Sequence, residues 1–192
     1  MRLRLTAAVL GSALLLSGCL LPDKYDAEIT LAPDGTFDAS LKGEGTMVMG
    51  YLDYQKPSAN KAALDKSMAE FETEVNKDKG YAIKHKGNAR FDVKYNDHGK
   101  VPQNVAAEIF FSFIKIAKTE DGYIVRSATA PKGDREKLSK AGITSVGTVC
   151  IKTDMTVVEH NADSTPWLFS KCYKWKDLDA LSDRSIKLRL KQ

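Results

Sequence analysis

Apolar and polar residues alternate in short stretches over most of the chain, and turn residues separate the stretches. Ile29 and Leu31 alternate with polar neighbours before the turn at residues 33–35, and Phe37 and Leu41 do so after it. A period of two places one set of side chains on a single face, which is typical of a half-buried strand. The opening of the chain therefore predicts two consecutive strands, the second of which continues through a more uniformly apolar stretch from Thr46 to Tyr54.

The same pattern predicts strands in the second half. A hairpin is indicated around Gly87-Asn88, and the chain closes on Ile186, Leu188 and Leu190, which alternate with basic residues. The run from Ala106 to Ala117 suits either a buried helix or a strand, and its aromatic and β-branched content favours a strand in a second hairpin.

A helical period is clearest from about Ser58 to Lys77. Its apolar residues recur at intervals of four, three and four, which places one group on a single face: Leu64, Met68, Phe71 and Val75. A shorter helix is predicted from Asp134 to Ala141, before Gly142. With mainly antiparallel strands and one principal helix packed on the sheet, the sequence predicts a single α+β domain.

The two cysteines of the C-terminal half are predicted to form a disulfide. If a turn is centred near Asn161, Cys150 lies opposite Cys172 and Met155 lies opposite Trp167. Directly opposed residues of antiparallel strands have Cα atoms about 4.5 to 5.5 Å apart, which a disulfide tolerates. Val149, Tyr173 and the other odd-numbered residues would then face the core.

The first eighteen residues have the three parts of an export signal. Arg2 and Arg4 precede an uncharged apolar run from Leu5 to Leu16, which ends in small residues. This run is shorter than the roughly 20 residues that cross a bilayer as a helix. Removing the signal takes away both arginines and leaves a net charge of about +2 instead of +4, which predicts no nucleic-acid partner.

The segment Leu16-Ser17-Gly18-Cys19 resembles the lipobox of bacterial lipoproteins at all four positions. That resemblance implies cleavage between Gly18 and Cys19, a diacylglyceryl group on the Cys19 thiol and an acylated, often palmitate-bearing, amino terminus. Acyl chains convert an exported domain into a membrane-anchored one. Leu20, where the sorting pattern of Gram-negative lipoproteins has Asp for retention, implies the outer membrane. Residues 19–24 are then a lipidated tether and residues 25–192 the ectodomain.

No motif in the sequence indicates catalysis, a cofactor or a metal. His85, His98 and His160 lack the spacing of metal ligands and are predicted to be solvated, the last two in turns. There is no nucleophile elbow, phosphate-binding loop or zinc-protease motif. The sequence therefore predicts a protein that is not an enzyme.

Aromatic residues offer one candidate binding wall. Phe110, Phe111 and Phe113, together with Trp167 and Trp175, could form an apolar surface for a ligand. The alternative is that they pack in the core, and this alternative is favoured because they share their predicted faces with aliphatic residues.

The layout of the mature chain resembles that of LppM-type envelope lipoproteins. The resemblance rests on the turn Pro33-Asp34-Gly35-Thr36, the stretch from Met47 to Tyr51, the helix that follows, and the closing segment 157–161. It implies a β-rich ectodomain with a helix and an association with lipid or glycolipid at the cell envelope. It implies no particular ligand residue.

Three hypotheses follow for the function. The favoured one is a non-enzymatic lipoprotein that binds a lipid-like ligand or an envelope protein, with an apolar cavity expected between the principal helix and the sheet. The second is an envelope hydrolase, which would need a carboxyl group of raised pKa beside a histidine in a cleft. The third is a lipoprotein that neutralises a toxin. The sequence leaves the oligomeric state open.

Overall fold

The structure is a computed structural model and describes residues 20–168 and 171–192. Within these ranges the chain forms eleven strands and three helices. In chain order they are β1 (Leu20–Leu31), β2 (Thr36–Met47), α1 (Val48–Tyr54), α2 (Lys61–Val75), β3 (Tyr81–Gly87), β4 (Arg90–Lys100), β5 (Ala107–Ile109), β6 (Ile114–Lys118), β7 (Gly122–Ser127), α3 (Lys132–Lys140), β8 (Val146–Thr153), β9 (Thr156–His160), β10 (Tyr173–Asp179) and β11 (Lys187–Lys191).

The strands form two sheets that share one core. The larger sheet has the order β10-β8-β1-β2-β4-β3, and the smaller one has the order β5-β6-β7-β11-β9. All pairs are antiparallel except β1 with β8. Ile29 and Ile151 of the larger sheet and Ile116 of the smaller one are fully buried in the same apolar cluster, and Tyr25 meets Phe113 edge to face at 5.4 Å between ring centroids.

The prediction of an α+β domain with one principal helix on a sheet is wrong, because the fold is mostly β. The helix predicted over 58–77 is present as α2, but Met68 is its only buried residue. The two sheets therefore bury most of the apolar surface of the described chain between themselves. Part of the stretch predicted as a strand from Thr46 to Tyr54 forms the short helix α1 instead.

The run 106–117 was predicted to be one strand of a hairpin with its turn at residues 119–122. That hairpin is present between β6 and β7, but residues 110–113 divide the run itself into the two strands β5 and β6. Ile109 pairs with Ile114 across the turn between β5 and β6, and Ile114 in turn pairs with Ser127 of β7. The aromatic and β-branched residues that favoured a strand fill the core from this hairpin, since Ile109, Ile114 and Ile116 have no exposed surface.

The disulfide between Cys150 and Cys172 is present, although the predicted register is wrong. Tyr173 pairs with Ile151 and Lys174 pairs with Cys150, so the two cysteines lie diagonally across β8 and β10. Their Cα atoms are still 5.5 Å apart. The register differs because β9 leaves for the other sheet, where it pairs with β11, so that β8 and β10 are not joined by a simple hairpin.

The strand β1 begins at Leu20, the first described residue. Leu20 pairs with Met47 and Pro22 pairs with Gly45. Residues 20–24, which were predicted to be an irregular tether, therefore belong to the central part of the larger sheet. Leu20, Pro22 and Asp23 are buried there.

A bulge interrupts β1 a few residues further on. The register shifts between Asp23 and Asp26, and Lys24 has a positive φ of 45°. Gly43 lies across from the bulge, and a Cβ atom on it would come within 2.6 Å of the Cα atom of Tyr25. Glycine at position 43 is thus needed for the close approach of the two strands.

Candidate functional site

An apolar cavity lies where the first residues of β1 meet the end of the smaller sheet. Its volume is about 160 Å³. No charged side chain of the described residues lines it, and the lining includes Leu20, Pro22, Val48, Phe111, Phe113 and Leu138. The cavity is the best candidate for a binding site in the described part of the chain, because concave apolar sites are where small apolar groups bind.

Six separate segments build the walls of this cavity, one of them represented by Ala180, which follows β10. The start of β1 contributes Leu20, the first turn of α1 contributes Val48, and the turn between β5 and β6 contributes Phe111. The segment after β7 contributes residues 128–131, and α3 contributes Leu138. Because these segments are far apart in the sequence, the cavity exists only in the folded chain.

The turn between β5 and β6 has an unusual backbone. Phe110, Phe111 and Ser112 are consecutive and have φ angles of 55°, 57° and 65°. Residues with a side chain avoid this left-handed region at a cost of roughly 1–2 kcal/mol each, and such strain is concentrated at functional sites. The left-handed backbone of this turn places the two adjacent phenylalanines in different surroundings. Phe110 is buried in the core, and Phe111 is half-buried at the cavity.

Aromatic contacts hold the three phenylalanines of this turn in place. The ring centroids of Phe110 and Tyr95 are 5.1 Å apart in an edge-to-face contact, and those of Phe111 and Tyr81 are 4.5 Å apart. Phe113 rests on Tyr25, whose hydroxyl group donates a hydrogen bond of 3.0 Å to the carbonyl oxygen of Leu178. Burial, followed by the charges of nearby carboxylates, raises the pKa of Tyr25. The aromatic residue behind Phe113 is therefore uncharged.

The structure brings together three of the five predicted wall residues. Phe111 and Phe113 line the cavity, and Phe110 supports the turn that carries them. Trp175 instead lies in the core with no exposed surface, and its indole nitrogen donates to the side-chain oxygen of Asn161 at 2.8 Å. Trp167 is 76 % exposed and lines no part of the cavity, so it is neither a wall residue nor a core residue.

Sequence reasoning missed the other walls. Leu20 and Leu21 were assigned to a tether, and Val48 was assigned to a strand. The apolar character of Leu20 and Leu21 directly after the predicted lipid site was the available signal, because a flexible tether has no need of two leucines. The residues 128–131 carry no periodic pattern that could have indicated a wall.

Packed side chains fill the space between α2 and the sheet, where the sequence predicted a cavity. Met68 is 5 % exposed, and Phe71 meets Phe91 edge to face at 5.5 Å. Leu64 and Val75 pack against the same core. The apolar cavity at the start of β1 has none of these four residues in its lining.

The features expected of a hydrolase do not come together in the described residues. Nδ1 of His98 lies 2.7 Å from Asp38, but both side chains are more than 70 % exposed on the strands β4 and β2. The carboxyl groups whose pKa departs from its ordinary value are all lowered, mainly by hydrogen bonds to Lys, Arg or Thr side chains, and none is raised: Asp34, Glu44, Glu108, Asp163 and Asp183.

The histidines only partly follow the prediction that they are solvated. His98 is exposed, but it lies in β4 and not in a turn. His85 is half-buried against Phe91, and its Nε2 atom is buried without a hydrogen-bond partner. Within residues 20–168 and 171–192, no group of three or more His, Cys, Asp or Glu residues is placed to hold a metal ion.

The predicted lipid anchor and export signal precede the part of the chain that the structure describes. Gly18 and Cys19 lie outside the described residues, as does the whole predicted signal. Among the helices that the structure describes, none has the length and hydropathy needed to span a bilayer.

The fold and the cavity define a two-sheet β protein with an apolar site at the end where β1 begins. No protein-family model matches the chain, and no curated protein matches it. Three solved chains match. One is the folded domain of LppM from Mycobacterium tuberculosis, determined by NMR, with a TM-score of 0.37 and 12 % identity over 91 % of this chain and 92 % of that one. This is a weak structural similarity, and no function is transferred on it.

Proposed function

We propose that the chain is an envelope lipoprotein, anchored through acyl chains on Cys19, whose β domain is a non-enzymatic binding protein for a lipid-like ligand. One observation carries the ligand part of the proposal, namely the apolar cavity that Leu20 lines directly after Cys19. The anchor part rests on the lipobox-like segment 16–19. Leu20 in place of Asp supports the outer membrane as its location.

The size and lining of the cavity define the chemistry of the ligand. A cavity of about 160 Å³ is close to the roughly 150 Å³ that accepts benzene in an engineered protein, and below the roughly 300 Å³ at which sites for whole drug-sized ligands begin. It therefore accepts the end of one hydrocarbon chain and not a whole lipid. The half-buried Thr129 in its lining bears a hydroxyl group suited to the more polar part of such a molecule, whereas the hydroxyl group of Ser112 donates to Glu108 on the exposed side.

The ligand is proposed to come from the bilayer that holds the anchor. One residue of extended chain spans at most about 3.6 Å, and Leu20 is already paired with Met47 in the sheet. Acyl chains on Cys19 would thus hold the cavity close to the membrane surface. A lipid needs to move only one chain end out of the adjacent leaflet to reach it.

The anchor is tested by replacing Cys19 with serine in the full chain. We expect Cys19→Ser to abolish labelling by radioactive palmitate and to release the protein from sedimented membranes. Labelling and sedimentation that persist in this variant would contradict the anchor. A failure of the anchor test would not contradict the ligand part of the proposal, because Cys19→Ser changes no residue that lines the cavity.

The cavity is tested with a phospholipid that carries a photoreactive diazirine at the end of one acyl chain. In vesicles containing the full-length lipidated protein, we expect adducts on peptides that contain Phe111 and Phe113 or residues 128–131. Ala130→Phe fills part of the cavity and should reduce these adducts at least fivefold. Ala82→Phe, on the exposed side of β3, is the matched control and should leave them unchanged. Adducts that are absent, or equal in both variants, would overturn the ligand proposal.

A further inference from the structure

Two large apolar side chains stand out on the surface of the described chain. Trp167 is 76 % exposed and its neighbour Leu168 is 79 % exposed, more than any other large hydrophobic residue described. They belong to the connection between β9 and β10, and neither lines the apolar cavity. Adjacent exposed tryptophan and leucine side chains indicate an interaction surface, because single scattered ones are the ordinary case.

The backbone next to Trp167 is held in a short hairpin. Ser164 forms an antiparallel bridge with Lys174, and their backbone groups exchange hydrogen bonds of 2.9 Å and 3.3 Å. The carboxylate of Asp163 accepts a hydrogen bond from the backbone nitrogen of Lys176 and pairs with Arg184 at 2.6 Å. The disulfide fixes Cys172 to β8. Trp167 and Leu168, called the apolar tip below, therefore follow a hairpin base that backbone hydrogen bonds and the disulfide hold in place.

Lysines flank this tip, and the acidic residue at its base, Asp163, is neutralised by its pair with Arg184. Lys171 and Lys174 follow the two apolar residues on the returning side of the hairpin, and neither forms an ion pair with a described residue. Lys152, across β8 from the hairpin, pairs with Glu28. Tryptophan and leucine with neighbouring lysines are the composition of segments that enter the interface of a bilayer containing anionic lipids.

We infer that Trp167 and Leu168 insert into the bilayer interface and form a second, non-covalent membrane contact, with Lys171 and Lys174 facing anionic headgroups. The inference rests on the anchor of the proposed function, which keeps the bilayer within reach. The small size of the apolar tip supports a membrane and not a protein as the occupant. An aromatic side chain buries about 150–250 Å², whereas a stable protein interface needs roughly 800 Å² on each partner.

The position of the tip fixes how the domain lies on the membrane. Leu20 is at one end of β1, and the base of the hairpin lies toward the other end, because Ser164 pairs with Lys174, which lies opposite Cys150 of β8 and hence level with Glu28 of β1. At about 3.3 Å per residue, the two ends are roughly 35 Å apart. A domain that touches one bilayer at both ends lies with β1 along the membrane plane.

The experiment uses the two tryptophans as reporters. Full-length protein is placed in vesicles of phosphatidylglycerol and phosphatidylcholine, with bromine on the acyl chains of the phosphatidylcholine to quench nearby indoles. We expect the wild type to lose about half of its emission, because Trp167 is quenched and the buried Trp175 is not. Trp167→Phe, which keeps the tip apolar and leaves Trp175 as the single reporter, should be quenched by less than a tenth.

The role of charge is tested in the same vesicles. Lys171→Glu with Lys174→Glu should reduce the quenching of Trp167 at least twofold, and so should vesicles without phosphatidylglycerol. Lys61→Glu with Lys79→Glu, two exposed lysines at the start of α2 and in the turn before β3, makes the same charge change elsewhere and should have no effect. Equal quenching in both double variants would contradict the role of the lysines.

Flotation of the protein with the vesicles tests the acyl anchor of the proposed function. Quenching of the floated protein tests the membrane contact of Trp167. A failure of one proposal can therefore be distinguished from a failure of the other. If the chain is not acylated and does not float, quenching is measured at a large excess of lipid. A Trp167 that stays unquenched in the presence of bound lipid overturns the inference. A Trp167 that is protected from the aqueous quencher acrylamide but not quenched by bromine also overturns it, and indicates a protein partner.

Discussion

Leu20 lies directly opposite Met47 in the β1–β2 pair, so the residue that follows the predicted acylation site already belongs to the larger sheet. Most of the flexibility that a tether would give is therefore absent. If acyl chains on Cys19 hold the protein on a bilayer, the cavity that Leu20 lines lies at the membrane surface. Both the proposed ligand source and the proposed second contact depend on this short distance.

A spacer between Cys19 and Leu20 tests whether this distance matters. Insertion of eight Gly and Ser residues adds a flexible segment with a mean length of about 16 Å. We expect the adducts of the photoreactive lipid in the cavity to fall severalfold, while membrane attachment and the midpoint of urea unfolding stay unchanged. Adduct yields equal to those of the wild type would show that proximity does not supply the ligand.

The close approach of β1 and β2 at the bulge predicts a strong effect of Gly43→Ala. The new Cβ atom would collide with the Cα atom of Tyr25 and with the carbonyl oxygen of Lys24, which are backbone atoms and cannot turn aside. We expect a loss of about 1–3 kcal/mol in the free energy of unfolding in urea. Gly133→Ala is the control, because a Cβ atom there meets nothing within 4 Å and a helix gains up to about 1 kcal/mol.

Strand positions and the disulfide partners were accessible from the sequence, because period-two alternation and the pairing of two remaining cysteines are local signals. The register of Cys150 and Cys172 was not accessible. It depends on β9 joining β11 in the smaller sheet, and no local pattern in residues 156–160 indicates a change of sheet. Likewise, the helical period of α2 was evident from the sequence. The sequence did not show that the two sheets would pack on each other and leave this helix mostly exposed.

The candidate site was accessible only in part, since its walls come from distant segments. The apolar cluster at Phe110, Phe111 and Phe113 was identified as a possible wall from residue type alone. Trp167 was considered a wall residue because odd numbering placed it on one presumed face with Tyr173 and Trp175, and the short hairpin that holds Trp167 outside the sheet breaks that alternation. Val48 could not be found, because its strand-like surroundings concealed a helix start.

The disulfide is expected to stabilise the fold substantially. It closes a loop with a sequence separation of 22 residues, for which the loss of entropy in the unfolded chain corresponds to about 3 kcal/mol. We expect Cys150→Ser with Cys172→Ser to lower the free energy of unfolding by about that amount. Addition of dithiothreitol should destabilise the wild type but not the double variant. A change below about 1 kcal/mol would mean that the unfolded chain is already restricted in this region.

Asp163 is expected to support the base of the Trp167 hairpin in a manner that depends on pH. A hydrogen bond from Arg184, and then one from the backbone of Lys176, lower the pKa of this carboxyl group. Its contribution is therefore present above the ordinary pKa of Asp, about 3.9, and is lost as the pH falls through the lowered value. We expect Asp163→Asn to cost less than about 1 kcal/mol at pH 7, as for other exposed ion pairs.

The difference between this variant and the wild type should disappear near pH 2, as judged by urea unfolding at a series of pH values. It should also shrink at pH 7 in 1 M salt, because screening acts on exposed pairs. A difference that is constant across the pH series would assign the effect to the hydrogen-bond geometry of Asp163 and not to its charge.

The left-handed turn at the cavity predicts that a glycine at position 112 is more stable than an alanine. Ser112 has a φ of 65°, which glycine adopts without the steric cost of a Cβ atom. Its hydroxyl group donates to Glu108 at 2.5 Å on the exposed side, so both substitutions lose this hydrogen bond and differ chiefly in the backbone. We expect Ser112→Gly to exceed Ser112→Ala by about 1 kcal/mol in the free energy of unfolding. If alanine is equal or better, the turn carries no backbone strain, and the argument that connects its unusual conformation with ligand binding loses its support.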